Sequence, residues 1–127
     1  MEDSGHSRTL KVLIADDLPS IRQALSTMFA LIGGLEVVGE AADGEEAVRL
    51  TKRLRPNVVV MDLEMPVLSG LEAARRIKES CPDCRVVVLT IHEGEEERRM
   101  ACLAGVDAFI IKGAPVEELV AGIRGDL

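Results

Sequence analysis

The chain has 127 residues, of which 47% are hydrophobic and 29% charged, proportions that fit one soluble globular domain and exclude intrinsic disorder. Its net charge of −7 excludes a nucleic-acid-binding surface on this chain, because phosphate contacts need clustered Lys and Arg. With no apolar run of membrane-spanning length and no signal-peptide pattern, we expect a cytoplasmic protein without membrane contact.

Short apolar runs alternate with amphipathic segments along the whole chain. The runs have strand length and are rich in Val and Ile, as expected of parallel strands that are covered by helices on both faces. They are Lys11–Asp16, Leu35–Ala41, Asn57–Asp62, Arg85–Thr90 and Asp107–Ile111. Between the runs, apolar residues recur at helical spacing. Typical helix-end residues flank these segments: Asp43 with Glu46 and Ser69 with Glu72 as N-terminal caps, Pro19 and Pro115 in first turns, and Gly33 and Gly105 as C-terminal stops.

Five strand–helix units in a chain of this length predict an open parallel α/β sheet, since an eight-fold barrel needs about 250 residues. The usual solution at this size is the flavodoxin-like (βα)5 fold, doubly wound, with strand order 2-1-3-4-5. We predict one domain over residues 10–127, preceded by a loose N-terminal tail over residues 1–9.

Polar residues end three of the five runs and directly follow a fourth. In an open α/β sheet the ligand crevice lies outside the carboxyl ends of the strands, so these residues are expected to form one site. The first strand ends in Asp16 and Asp17, the third in Asp62 and the fourth in Thr90, and Lys112 directly follows the fifth. The end of the second strand, at Glu40, lies at the sheet edge and is expected to contribute nothing.

Three carboxylates in one crevice require a compensating charge. Each pair at 4 Å repels by about 4 kcal/mol at an effective dielectric constant of 20, and one lysine cannot neutralise all three. Oxygen ligands of this kind favour Mg²⁺. No Gly-rich phosphate loop follows the first strand, which disfavours nucleotide or flavin binding. A carboxylate beside a metal ion and a lysine can instead attack phosphorus and form an aspartyl phosphate.

The three cysteines include a C-x-x-C pair, Cys81 and Cys84, between a helical segment and the next strand. Redox motifs of this spacing usually follow a strand and open a helix, and a zinc site needs about four ligands, which the chain does not offer at recognisable spacing. We therefore expect buried or loop thiols without redox or metal chemistry.

Over Leu10 to about Arg124 the sequence resembles the receiver domains of bacterial two-component response regulators. The segments that carry the resemblance are LIADDLPSIR, VVVMDLEMPVLSGLEA, VVVLTIHEGEEE and AGVDAFIIKGAPVEELVAGIR. The residues in and around TIH, AGVDAFIIK and APVEEL are similar to those of the receiver subfamily that precedes a LuxR-type helix-turn-helix domain. This sequence does not contain the helix-turn-helix segment.

The resemblance implies a role for each candidate residue. Asp62 would be the phosphoacceptor, and Mg²⁺ or Mn²⁺ would be held by Asp17 directly, by Asp16 mainly through water, by Asp62 and by the backbone carbonyl of Glu64. Thr90 and Lys112 would contact phosphoryl oxygens, Phe109 would change rotamer on phosphorylation, and Glu64 and His92 would tune the phosphoryl lifetime. Many receivers have Pro after the lysine, whereas this chain has Gly113, before which we expect a trans peptide bond.

The resemblance also implies partners. A sensor histidine kinase would donate the phosphoryl group, and the face built from the fourth helix, fifth strand and fifth helix would carry the output, through homodimerisation or through a DNA-binding effector domain in the full-length protein. Such a domain is not an enzyme acting on a separate substrate, since it only phosphorylates itself from a donor and slowly loses the group again.

Two other functions remain open on the sequence alone. One is a metal-dependent phosphohydrolase with an aspartyl-phosphate intermediate, although its usual D-x-D pattern is only partly met by Asp62 and Glu64 and the chain lacks a lid segment. The other is a pseudo-receiver, which keeps the fold as a binding module and never takes phosphate.

Overall fold

The computed structural model describes residues 9–91 and 93–126, so His92, Leu127 and most of the predicted N-terminal tail lie outside the described residues. The strands are β1 (Leu10–Ala15), β2 (Leu35–Ala41), β3 (Val58–Met61), β4 (Arg85–Thr90) and β5 (Ala108–Ile111). The helices are α1 (Pro19–Ile32), α2 (Gly44–Leu54), α3 (Gly70–Ser80), α4 (Glu95–Leu103) and α5 (Val116–Arg124). None of these helices is long and apolar enough to cross a membrane.

All five strands pair in parallel in the order β2-β1-β3-β4-β5, which confirms the predicted fold. The main correction concerns the polar residues at the ends of the apolar runs. Asp16, Asn57, Asp62 and Asp107 were predicted within strands, but each lies one position outside the strand that it flanks. Since Ala15 pairs with Met61 and Thr90 pairs with Ile111, the residues that follow these positions emerge at one edge of the sheet.

The core has two apolar layers, one on each face of the sheet. Alternate residues of β1 and β3 face opposite layers, as the two-residue period of a strand requires. Leu13 and Val59 pack with α2 and α3, whereas Val12 and Val58 pack with α1 and α5 around the fully buried Phe29. The helix α4 differs from the others, because only Ala101 among its residues is buried.

Most of the predicted helix ends are confirmed. Asp43 Oδ1 accepts the Glu46 N–H at 2.8 Å, and Ser69 Oγ accepts the Glu72 N–H at 3.3 Å. Pro115 is an exception, since it occupies the N-cap position before α5 rather than its first turn. The end of α2 was not foreseen, because Arg55 takes the left-handed conformation there with φ 51°, a role for which glycine is the usual residue.

The loop between β3 and α3 contains a strained residue. Val67 has φ 70°, and the Leu68 N–H donates to the Pro66 carbonyl at 2.7 Å, which closes a tight three-residue turn. A β-branched side chain is disfavoured at positive φ, and Val67 is 76% exposed, so little packing compensates.

We therefore expect Val67→Gly to raise the free energy of unfolding by about 0.5–1 kcal/mol, since relief of strain exceeds the added entropy of an unfolded glycine. Urea denaturation would measure the change. Val116→Gly is the control, because Val116 is partly exposed within the regular helix α5 and its replacement should lower stability. A similar loss in both variants would contradict the assignment of strain to Val67.

Candidate functional site

The structure brings the predicted acidic residues and the lysine together at the carboxyl edge of the sheet. One carboxylate oxygen from each of Asp16, Asp17 and Asp62 lies within 4.8 Å of the other two. The Lys112 Nζ lies 3.3 Å from Asp16 Oδ2 and 3.5 Å from Asp62 Oδ2. The topology explains the convergence, since these residues follow β1, β3 and β5.

Asp16 is held firmly at this edge. It is 2% exposed, and its Oδ1 accepts the Leu18 N–H at 3.0 Å. Its backbone carbonyl accepts a hydrogen bond from Arg22 Nη1 at 2.7 Å. Asp17, by contrast, is exposed. The two adjacent aspartates therefore differ in how freely their carboxylates can turn toward a ligand.

Arg22 was missed by the sequence analysis, and it corrects the role given to Glu40. Arg22 Nε lies 3.0 Å from Glu40 Oε1, while its Nη1 holds the Asp16 carbonyl. The end of β2 was expected to contribute nothing, yet Glu40 orients the arginine that anchors the loop after β1. The spacing of Arg22 gave no signal, because a charged residue on a helix is usually solvated.

Asp62 occupies the centre of the edge with its side chain 12% exposed. Its Oδ1 accepts the Glu64 N–H at 3.3 Å, and its own N–H donates to the Ala15 carbonyl at 3.0 Å. Burial raises the pKa of the Asp62 carboxyl, and the Lys112 charge acts in the opposite direction. The folded protein thus holds a carboxylate whose negative charge is incompletely compensated by protein groups.

The start of α3 packs directly against the backbone of Asp62. A Cβ placed on Gly70 would lie 2.2 Å from the Asp62 carbonyl oxygen, closer than any real contact. Gly70 therefore permits the close approach that fixes the position of Asp62. This contact is a structural reason for the SG pair in the segment VVVMDLEMPVLSGLEA.

Thr90 and Lys112 are tied together through the backbone. Thr90 ends β4 and is fully buried, and the Lys112 N–H donates to its carbonyl at 2.7 Å. The next residue, Gly113, has φ 95°, and the described residues contain no cis peptide bond, which confirms the expected trans bond. Lys112 therefore approaches the carboxylates from the end of β5, where its backbone is hydrogen-bonded to Thr90 at the end of β4.

Phe109 lies within β5, half-buried, on the side of α4. The Arg98 Cζ of α4 lies 4.6 Å from the centroid of the Phe109 ring, within range of a cation–π interaction. Phe109 was expected to change rotamer on phosphorylation, but the sequence gave no reason to single out Arg98. Glu64 lies exposed beside Asp62, whereas His92 falls outside the described residues.

The residues present fit a divalent cation. Three carboxylates and one ammonium group leave two negative charges at the edge of the sheet, and the available donors are hard oxygen atoms. Mg²⁺ prefers such donors and commonly keeps several other coordination positions for water or phosphate.

An open parallel α/β sheet with an acidic cluster, a buried threonine and a lysine at its carboxyl edge defines the class of phosphate-accepting signalling domains. The chain matches the response regulator receiver domain family over residues 12–124, and it belongs to that family. The match disfavours the phosphohydrolase alternative.

Individual relatives place the chain more closely. It is 43% identical over 115 residues to the response regulator GacA of Pseudomonas aeruginosa, an alignment that covers 91% of this chain and 54% of GacA. The crystal structure of a LuxR-family two-component response regulator from Aurantimonas sp. SI85-9A1 superimposes with a TM-score of 0.87 at 34% identity, covering 92% of this chain and 84% of that one. A chain of the CheX–CheY–BeF3–Mg²⁺ complex of Borrelia burgdorferi gives a TM-score of 0.85 at 26% identity, covering 93% of this chain and 89% of that one. The chain thus spans about half the length of the curated relatives that it matches.

Proposed function

We propose that Asp62 of this receiver domain accepts a phosphoryl group from a sensor histidine kinase and thereby switches the surface formed by α4, β5 and α5. The observation that carries the proposal is the position of the Asp62 carboxylate, 3.5 Å from the Lys112 ammonium group and within 4.8 Å of a carboxylate oxygen of both Asp16 and Asp17. Labelling with a small-molecule phosphodonor tests it, and we expect one phosphoryl group on Asp62.

In the transfer step an ionised Asp62 oxygen attacks phosphorus. An O–P bond forms as the P–N bond to the donor histidine breaks, and the electron pair of that bond returns to the imidazole. The Lys112 ammonium group is close enough to stabilise negative charge on the phosphoryl oxygens. Thr90, at the end of the neighbouring strand β4, would supply a hydroxyl to the same oxygens.

Asp17, Asp62 and the Glu64 backbone carbonyl would hold Mg²⁺ or Mn²⁺ directly, and Asp16 would act mainly through water. When bound, the ion neutralises charge on the phosphoryl oxygens and orients the group for in-line attack. The contacts of Asp16 support this division, because its carboxylate already accepts the Leu18 N–H and faces Lys112, whereas Asp17 is exposed.

We expect Asp17→Asn to weaken Mg²⁺ binding by about tenfold or more, equivalent to about 1.4 kcal/mol, and Asp16→Asn to weaken it less. Isothermal titration calorimetry is the suitable measurement, since the chain has no Trp or Tyr to report binding by fluorescence. Equal losses in the two variants would contradict the division of roles.

The output would depend on Phe109 and α4. Attraction of Thr90 toward a phosphoryl group would open space for the Phe109 ring, and movement of the ring would break its contact with Arg98. The helix is suited to such a change, because Ala101 is its sole buried residue and few core contacts resist its displacement.

Arg98→Ala should strengthen binding of beryllofluoride, a mimic of the phosphoryl group, by about 2–5-fold. A cation–π interaction contributes about 0.5–1 kcal/mol at an exposed site, and its loss penalises only the state in which the ring faces Arg98. The matched control is Arg99→Ala, since Arg99 is an α4 neighbour that pairs with Glu96 instead. Equal affinities of the two variants for beryllofluoride would argue against the hypothesis that Arg98 opposes the conformational change.

The surface formed by α4, β5 and α5 also bears on the partners of the full-length protein. Because the curated relatives are about twice as long as this chain, we propose that a DNA-binding effector domain accompanies it in the full-length protein and that phosphorylation alters homodimerisation through α4, β5 and α5. We expect beryllofluoride to change the amide exchange rates of the segment from Thr90 through Ile123. Unchanged exchange there, with Asp62 occupied, would exclude this route.

A further inference from the structure

The two cysteines of the C-x-x-C pair lie at the ends of one tight turn. Cys81 caps the end of α3, and Cys84 immediately precedes β4. The Cys84 N–H donates to the Cys81 carbonyl at 2.9 Å, which closes a four-residue turn around Pro82 and Asp83. The Cα atoms at the ends of such a turn are less than about 7 Å apart, and disulfides span Cα separations of about 4.4–6.8 Å.

Both side chains enter the same apolar layer. Cys81 is 7% exposed and Cys84 is 4% exposed, and both belong to the cluster that contains Ile77 and Val86. Their Cβ atoms therefore project from the turn toward the same side of the sheet, which is the second geometric requirement for a bridge between them.

The Lys78 side chain fixes the turn. Its Nζ donates to the carbonyls of Pro82 and Cys84, at 3.3 and 2.9 Å, and lies 3.0 Å from Asp107 Oδ2. A turn that is held in this way presents its two thiols to each other without a large loss of chain entropy on closure.

The turn also borders a cleft of ≈ 260 Å³, at the edge of the sheet opposite the phosphate-accepting site. Arg55 and Asn57 form the other wall of the cleft. The cleft gives a small molecule a route to the turn.

We propose that Cys81 and Cys84 form a redox-active dithiol that closes to an intramolecular disulfide when a low-molecular-weight disulfide acts as oxidant. This inference is independent of the phosphoryl-transfer function, and it departs from the inert thiols expected from the sequence. The spacing alone gave no indication, because the motif does not open a helix; the turn and the shared direction of the side chains are tertiary features.

The reaction proceeds by two thiol–disulfide exchanges. The Cys81 thiolate attacks one sulfur of the oxidant, a protein–oxidant S–S bond forms, and the oxidant's own S–S bond breaks to release a thiolate. The Cys84 thiolate then attacks the Cys81 sulfur and releases the second half of the oxidant. The two cysteine protons pass to the two departing thiolates, so the protein loses two hydrogens and the oxidant becomes two thiols.

Burial raises the pKa of the Cys84 thiol to about 11, an effect that the Lys78 charge opposes. Few Cys84 thiolates therefore exist at neutral pH, and closure is expected to be slow, on the scale of hours that uncatalysed disulfide exchange can require.

The test uses the full chain carrying Cys102→Ser, because Cys102 is exposed and would otherwise form mixed or intermolecular disulfides. The folded protein is incubated to equilibrium with glutathione disulfide and then alkylated under denaturing conditions. We expect a species about 2 Da lighter than the reduced protein that takes up no alkylating reagent. Its circular dichroism spectrum should match that of the reduced form, and dithiothreitol should restore both thiols.

Two further variants, Cys81→Ser and Cys84→Ser, serve as matched controls in the same background. Each should gain at most one glutathione adduct and never lose two hydrogens. A stable glutathione adduct on the parent protein without closure, two alkylatable thiols at equilibrium, or closure accompanied by loss of the folded spectrum would each overturn the proposal.

Discussion

Incubation with acetyl phosphate and Mg²⁺ should add one phosphoryl group to this chain, and Asp62→Ala should abolish the labelling. The expectation follows from geometry, because the Asp62 carboxylate lies close to the Lys112 ammonium group and to two other carboxylates at the crevice edge. Removal of an attacking group leaves the surrounding residues without a nucleophile, and a loss of labelling on the order of 10³-fold or more is expected.

Intact-protein mass spectrometry measures the labelling directly. Asp83→Ala is the matched control, since Asp83 is an exposed aspartate at the opposite edge of the sheet. Equal labelling of wild type and Asp62→Ala would overturn the assignment of the phosphoacceptor. Absence of labelling in wild type under conditions where Mg²⁺ binds would favour the pseudo-receiver alternative.

In the absence of metal, Asp62→Asn should stabilise the folded chain. Burial raises the folded-state pKa of Asp62 above its unfolded value, so the folded state binds this proton more tightly. Stability contributed by this group therefore falls as pH rises through the window between the two pKa values, and the full penalty applies above the folded-state pKa. Asparagine carries no charge at any pH and escapes the penalty.

We expect a gain of roughly 1 kcal/mol at pH 7.5 in a metal chelator, or about 4 °C in melting temperature, that shrinks as the pH falls through the folded-state pKa of Asp62. Saturating Mg²⁺ should reverse the order, because an ion present at 100 times its Kd adds about 2.7 kcal/mol to the protein that binds it. Glu64→Gln is the control, as an exposed carboxylate beside the site. A lower metal-free melting temperature for Asp62→Asn than for wild type would contradict the electrostatic account.

The fold and the convergence of the site were predictable because both depend on sequence period and chain order. Val- and Ile-rich runs of strand length, separated by helical spacing, define a parallel sheet, and parallel strands bring their carboxyl ends to one edge. That rule was sufficient to place Lys112 beside Asp16 and Asp62 although they are far apart in sequence.

The features that sequence reasoning missed depend on side-chain contacts between elements. Arg22 bridges Glu40 and the Asp16 carbonyl, and Arg98 covers the Phe109 ring, but neither arginine stands in a pattern that differs from an ordinary solvated helix residue. The left-handed conformations of Arg55 and Val67 were equally unforeseen, since both residue types disfavour that region and only the surrounding structure imposes it.

Because α4 is weakly anchored to the core, its sequence can change with little effect on the stability of this chain. Stability is set by the two apolar layers, and α4 contributes no buried side chain to them, since its single buried residue, Ala101, lies outside both. Substitutions on its exposed positions other than Arg98, which contacts the Phe109 ring, should therefore change the free energy of unfolding by less than about 0.5 kcal/mol each, as is usual for surface positions. The exposed positions of α4 can accordingly change in sequence while the phosphate-accepting edge and the core stay unchanged, so this helix and that edge are free to diverge independently.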